Sequence, residues 1–177
     1  MAIADPKVIS TSTGYHGRLF DVDLTELEME GGVHTLREII IHPGAVCMIP
    51  AADDGKLLFV TQYRHAARKR LLELPAGTLE PGEEPLTAAV RELQEEVGFL
   101  PGTTEARGGF FVAPGYSTEY IHLFVCSNLR ASVLPGDEDE DIEVVSLTLD
   151  EALAAVESGE ICDAKSVIGV LRYAGTQ

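Results

Sequence analysis

Apolar positions recur along the chain with two periods, and the alternation between them separates strands from helices. Leu86, Ala89, Val90, Leu93 and Val97 fall at i, i+3, i+4, i+7 and i+11, one stripe of an α-helix. Pro85 suits the first turn of that helix and Gly98 its C-terminal cap, so the pattern predicts a helix over 84–97. Strands are predicted over 18–28, 39–41, 45–49, 56–60, 71–74, 109–112, 120–126 and 142–149, from short β-branched or apolar runs bounded by turn residues. His42-Pro43-Gly44 is a turn, and Asp53-Asp54-Gly55 predicts a hairpin joining the runs on either side of it. Two helices are predicted at the C-terminal end, over 150–157 and 163–173, broken at Ser158-Gly159. Residues 1–12 follow neither period and read as a loose or partner-dependent arm. Many strands with few long helices predict an α+β fold, a mixed sheet flanked by helices.

Composition narrows the function more than the fold. A length of 177 residues favours one domain, or one domain with a small appendage. Apolar residues at 45 % and charged residues at 24 % are ordinary for a globular chain and exclude wholesale disorder. No apolar run approaches the roughly 20 residues of a membrane-spanning helix. Met1-Ala2-Ile3-Ala4-Asp5-Pro6-Lys7 lacks the basic and apolar regions of a signal peptide, so a cytoplasmic protein is expected. Cys47, Cys126 and Cys162 are an odd number with no C-x-x-C pair, which argues against a disulfide framework or a zinc–thiolate site. Each has an apolar neighbour and is expected to fill core.

Lysine and arginine total 13 against 29 aspartates and glutamates, a formal net charge of −16. That balance repels nucleic-acid backbone and anionic membranes, so neither is an expected partner. The acids are concentrated: six carboxylates lie between Glu80 and Glu96, and five run unbroken from Asp137 to Asp141. Such clusters raise the question of which cation they serve.

The predicted helix supplies one answer. At 100° per residue, Glu95 lies about 60° to one side of Glu92 and Glu96 about 40° to the other, an arc of roughly 100° beside the apolar stripe. Like charges at i,i+4 oppose helix formation, by about 0.2–0.5 kcal/mol per exposed pair. Arg91 offsets part of this through an i,i+4 contact with Glu95. Clustered hard oxygens suit Mg²⁺ or Mn²⁺, whereas zinc would call for histidine or cysteine. Helix spacing alone favours an acidic, solvated face, because acidic surface helices are common.

The preceding loop, Pro75-Ala76-Gly77-Thr78-Leu79-Glu80-Pro81-Gly82-Glu83, changes that balance. With the helix it forms Gly77-x5-Glu83-x7-Arg91-Glu92-Leu93-Gln94-Glu95-Glu96-Val97-Gly98-Phe99, which resembles the Nudix hydrolase signature at every fixed position. The resemblance implies an α/β/α sandwich and hydrolysis of a nucleoside diphosphate linked to another moiety. It further implies that Glu92 and Glu96 are primary metal ligands, that Glu95 assists, and that the Ala76 main-chain carbonyl completes the metal site. Arg91 would orient Glu95 or its neighbours, and Glu83 would organise the loop.

Segments outside the signature resemble the ADP-ribose pyrophosphatase branch of that family. They include Gln62-Tyr63-Arg64, the lead-in Leu71-Leu72-Glu73-Leu74-Pro75, and Pro114-Gly115-Tyr116-Ser117-Thr118-Glu119, in which Thr118 stands where Asp, Asn or Ser is expected. The resemblance implies Mg²⁺-dependent cleavage of ADP-ribose to AMP and ribose 5-phosphate. Other nucleoside diphosphate sugars, nucleoside triphosphates, or binding without cleavage are the alternatives. Arg64 is a candidate phosphate ligand, because a guanidinium is suited to bidentate contact. Arg37, toward phosphate or adenine, and Pro114, Gly115 and Glu119 are further candidates for the substrate site.

The run Asp137-Glu138-Asp139-Glu140-Asp141 is not an EF-hand, since counting from Asp137 gives Ile142 at the sixth position and Thr148 at the twelfth. In the branch it resembles, an acidic loop before the last strand supplies the base that deprotonates the attacking water, and Glu138 and Glu140 match. A carboxylate among other acids is expected to have a raised pKa, which favours that role near neutral pH. Relatives of this kind also imply a homodimer, with residues 1–36 as a strand region that forms the dimer and 37–177 as the hydrolase domain.

Overall fold

The structure, a computed structural model, describes residues 5–136 and 141–176. It divides into two units, one running to Gly44 and including Phe111–Tyr120, the other comprising Ala45–Phe110 and the chain from Ile121 onward.

The first unit is an antiparallel sheet of β1 (Lys7–His16), β2 (Asp21–Glu28) and β3 (His34–Ile41) in sequential order. Residues 7–12 are therefore strand and not a loose arm. Their pattern is hard to read because all ten residues of β1 are exposed, so no buried face imposes a period of two. Pairing with β2 runs from Lys7 opposite Glu28 to His16 opposite Asp21, with two bulges. The segment around Tyr116 is tied to β3: the Ile40 amide donates to the Tyr116 carbonyl at 2.8 Å, and the Thr118 amide to the Ile40 carbonyl at 2.9 Å.

In the second unit two sheets carry the core. One has the order β7 (Ala76–Thr78), β4 (Ala45–Pro50), β9 (Tyr120–Ala131), β8 (Phe99–Phe111); the other has β10 (Glu143–Leu147), β5 (Leu57–Arg64), β6 (Lys69–Glu73). β4 runs parallel to β9 and antiparallel to β7, so the sheet is mixed, as expected. Every residue of β4 is buried, because alternate side chains enter two different clusters. Ala45, Cys47 and Ile49 pack with Phe59, Leu74 and Leu123, and with Ala152, Ala155 and Val170 from the C-terminal helices α2 (Leu149–Ser158) and α3 (Ala164–Ala174). Val46 and Met48 face the other way, toward Val60 and the apolar residues Ala88, Ala89, Leu93 and Val97. Helices thus cover both faces of the strands, the layered α+β sandwich that the sequence implies.

Four details differ from expectation. Asp53-Asp54-Gly55 does form a tight turn, with the Gly55 amide bonded to the Ala52 carbonyl at 3.0 Å and Gly55 at φ +83°. Yet β4 and β5 diverge into separate sheets, and only an isolated bridge between Ala51 and Leu57 remains of the predicted hairpin. The helix predicted over 84–97 is α-helical as α1 (Pro85–Glu92) and then becomes a π-helical turn over Leu93–Val97, closed by Gly98 at φ +79°. Its stripe is shifted too: Leu86 is exposed, and Ala88 is buried in its stead. Finally, Cys162 is exposed, whereas Cys47 and Cys126 are buried as expected. Among the described residues, no helix is long and apolar enough to cross a membrane.

Candidate active site

Sequence places a strand, a proline- and glycine-rich loop and a charged helix in succession, and their packing brings the signature residues together. Arg91, near the end of α1, is the hub. Its Nε and Nη2 donate to the two carboxylate oxygens of Glu83 at 3.0 and 2.9 Å. Its Nη1 donates to Glu92 at 2.8 Å and to Glu95 at 2.9 Å, and Nη2 reaches the Thr78 carbonyl at 3.4 Å. One guanidinium therefore binds three carboxylates and the loop backbone. Its charge, mainly through the Glu83 hydrogen bonds, holds the Glu83 carboxyl below the usual carboxylate range and outweighs burial, which acts the other way. Glu83 in turn accepts from the Glu80 amide at 3.1 Å, which closes the loop on itself.

Glu92 lies against the backbone of Gly77, where a Cβ would overlap its carboxylate. The fixed glycine is therefore a steric requirement for seating this glutamate. Glu96, only 9 % exposed, accepts from the Ala76 amide at 3.1 Å. The π-helical turn means that the three glutamates do not follow the α-helical arc computed above. They are arranged instead around two fixed donors, the Arg91 guanidinium and the Ala76 amide. Among the described residues, no three histidine, cysteine, aspartate or glutamate side chains are gathered around one ion position. Glu92 and Glu95 are drawn onto Arg91. The donor set, carboxylates beside a glycine that leaves backbone accessible, is nonetheless the oxygen chemistry that Mg²⁺ or Mn²⁺ takes, and it lacks the histidine and cysteine ligands that zinc favours.

The remaining candidates are distributed as follows. Arg64, on β5, is doubly bound to Glu73 of β6, Nε to Oε1 at 3.0 Å and Nη2 to Oε2 at 2.8 Å. Glu73 is 1 % exposed and also binds Lys165 of α3. Neither Glu73 nor Lys165 stood out as a site residue in the sequence, although a glutamate inside an apolar strand was a signal of a buried ion pair. In the first unit, Arg37 is exposed and donates to Thr35 Oγ1 at 2.6 Å. Pro114 and Gly115 line a depression of about 300 Å³ together with Ile39, Phe111 and Tyr116. Thr118 Oγ1 accepts from the His42 amide at 2.9 Å, and the Glu119 amide donates to Ser117 Oγ at 3.1 Å. Glu138 and Glu140 lie outside the described residues.

Comparison with known proteins identifies the family. The NUDIX domain family matches residues 41–166. The chain is 37 % identical over 174 residues to an ADP-ribose pyrophosphatase of Bacillus subtilis, covering 96 % of this chain and 93 % of that protein. It is 39 % identical over 168 residues to a methanol dehydrogenase activator of Bacillus methanolicus, covering 94 % and 91 %. The crystal structure of an ADP compounds hydrolase superposes with a TM-score of 0.90 at 27 % identity, over 99 % of this chain and 96 % of that one. Signature, fold and relatives agree, and the chain belongs to the Nudix family as a pyrophosphohydrolase of nucleoside diphosphate compounds.

Proposed function

We propose that this protein hydrolyses the pyrophosphate bond of ADP-ribose, giving AMP and ribose 5-phosphate, with Mg²⁺ as the activating ion and Mn²⁺ as its substitute. The observation that carries the reading is the convergence of Glu92, Glu95 and Glu96 on Arg91 and the Ala76–Gly77 backbone, in a chain whose relatives include an ADP-ribose pyrophosphatase.

Glu92 and Glu96 hold the ion, Glu95 assists, and the Ala76 carbonyl completes its shell. When bound, the divalent ion neutralises the diphosphate oxygens and lowers the pKa of a water molecule. Arg91 keeps the carboxylates oriented before the ion arrives, which reduces the reorganisation needed on binding. Arg64 contacts a phosphate through its guanidinium, while Arg37, Pro114, Gly115 and Glu119 bind the nucleoside and sugar ends of the substrate. Glu140 or Glu138 takes the proton of the attacking water. The water oxygen bonds to one phosphorus as the bridging P–O bond breaks, and the bridging oxygen leaves with the other phosphate. Residues 1–36 serve as a dimer-forming strand region and residues 37–177 as the hydrolase domain, and the homodimer acts in the cytoplasm.

The test is hydrolysis of a panel of dinucleotides and nucleotide sugars by the purified chain, with and without Mg²⁺, the products being identified by chromatography. AMP and ribose 5-phosphate from ADP-ribose, released only with metal, is the expected result. Turnover of other panel members with none of ADP-ribose would overturn the substrate assignment. Turnover of several alike would favour a broader nucleoside diphosphate hydrolase, in keeping with the ADP compounds hydrolase whose fold it shares.

A further inference from the structure

Helix α3 lies beyond the signature, yet its first turn grips the strand that leads into the site. Asp163 caps it, its Oδ2 accepting from the Ser166 amide at 3.2 Å and from Lys165 Nζ at 2.9 Å. The Lys165 ammonium also binds Glu73, the last residue of β6. The next residue along the chain from each repeats the contact: the Leu74 amide donates to Ser166 Oγ at 2.7 Å, with both residues fully buried. One turn on, Gly169 permits the close approach, because a Cβ there would overlap Leu74. The Pro75 carbonyl is then held by the Met48 amide at 2.9 Å. Ala76 and Gly77, against which Glu96 and Glu92 rest, follow directly.

Burying a lysine costs the desolvation of its charge unless anions pair with it. Its side chain is 12 % exposed, and that of Glu73 1 %. Desolvation opposes its charge, but Asp163 and Glu73 more than compensate and hold its pKa above the ordinary lysine value. The ammonium is therefore a permanent cation lying between two anions. Without it Glu73 would keep Arg64 as partner but lose its tie to α3.

We propose that Lys165 is a positioning residue for the hydrolysis: with Ser166 it fastens α3 to Glu73 and Leu74 and thereby fixes the Ala76–Gly77 backbone that seats Glu96 and Glu92. The inference rests on the reading of those glutamates as metal ligands. It assigns to α3 the part that outer partners play in metal sites, whose loss typically costs about 10- to 100-fold in metal affinity or activity.

The experiment compares the parent with Lys165→Met and with Lys165→Met/Asp163→Asn, the double variant leaving Glu73 paired with Arg64 and no carboxylate at residue 163 without its counter-ion. Mn²⁺ affinity is measured directly by electron paramagnetic resonance, beside thermal melting, kcat and KM. The single variant is expected to bind Mn²⁺ about tenfold more weakly. The double variant is expected to recover most of the melting temperature while keeping that weakened affinity and a kcat lowered by a similar factor. A double variant that regains stability and shows parental Mn²⁺ affinity and kcat would overturn the proposal, reducing Lys165 to a charge-compensating core group. A parent that binds Mn²⁺ but leaves ADP-ribose intact would sink only the substrate reading, and the Mn²⁺ comparison would still decide the role of Lys165.

Discussion

The carboxylate of Glu92 fills the space that a side chain at residue 77 would need. Glycine is required here for room rather than for backbone conformation, since the overlapping group is the far end of a flexible glutamate. The two demands have different consequences. Gly77→Ala should fold with a melting temperature close to that of the parent, because Glu92 can swing aside. Activity should not survive as well: a misplacement of about 1 Å at a reacting centre can cost on the order of 100-fold. Melting and kcat/KM measured on the same sample check this. A variant with parental kcat/KM would show that Glu92 need not sit where it does.

The Glu83–Arg91 pair predicts an acid-sensitive contribution to stability. The Glu83 carboxyl titrates below its unfolded value of roughly 4.3, so its stabilisation is complete above that pH and is lost as pH falls through the lower folded value. Parent and Glu83→Gln should therefore differ in melting temperature at pH 7, and the gap should begin to narrow as pH falls below about 4 and close once it is below the folded value. A gap of constant size down to pH 3 would mean that the variant loses packing rather than charge.

The signature was legible because chemistry constrains residue types directly: an ion needs carboxylates, Glu92 needs a glycine beside it, and three acids need an arginine. Backbone geometry was less so. Nothing in Leu93-Gln94-Glu95-Glu96-Val97 distinguishes a π-helical turn from an α-helical one, because the residue types suit either. What marks the turn is tertiary. The Gln94 carbonyl accepts from the Leu134 amide at 3.2 Å, the Gly98 carbonyl from the Ser132 amide at 2.9 Å, and Gln94 Nε2 donates to Ser132 Oγ at 2.8 Å. The pattern predicts a strand over 109–112 only, whereas β8 spans Phe99–Phe111, since Pro101-Gly102 and Gly108 look like breaks. Gly102 instead allows Asn128 of β9 to come close, where a Cβ would lie 2.9 Å from that of Asn128. Lys165 was missed for a similar reason, since its partner Glu73 is distant in sequence.

The cysteines offer a check on the packing. Burial pushes the Cys126 thiol up to about 12 and raises that of Cys47 as well, whereas Cys162 is exposed. Only the thiolate reacts. The native protein should thus yield one thiol to an aromatic disulfide reagent near neutral pH, and all three after denaturation. Cys162→Ser should abolish the native reaction. A second fast thiol in the native protein would show that the cluster around Cys47 or the one around Cys126 is open to solvent.

Binding and proton transfer can be separated by two isosteric substitutions. Glu96→Gln retains an oxygen for the Ala76 amide, so the fold should persist, but it removes the charge proposed to hold the ion. Weakened Mn²⁺ affinity should accompany the loss of turnover, by at least the 10- to 100-fold typical of disturbed metal sites. Glu140→Gln changes the residue proposed for proton transfer and leaves the proposed metal ligands in place. It should leave Mn²⁺ affinity and KM near parental values and depress kcat by about 10²- to 10⁴-fold, the usual worth of a general base. Glu138→Gln, made alongside, identifies which of the two carboxylates takes the proton: the larger fall in kcat is expected at Glu140. Normal metal-dependent turnover by Glu96→Gln would remove the glutamate cluster from the mechanism, and parental kcat in both loop variants would place the base elsewhere.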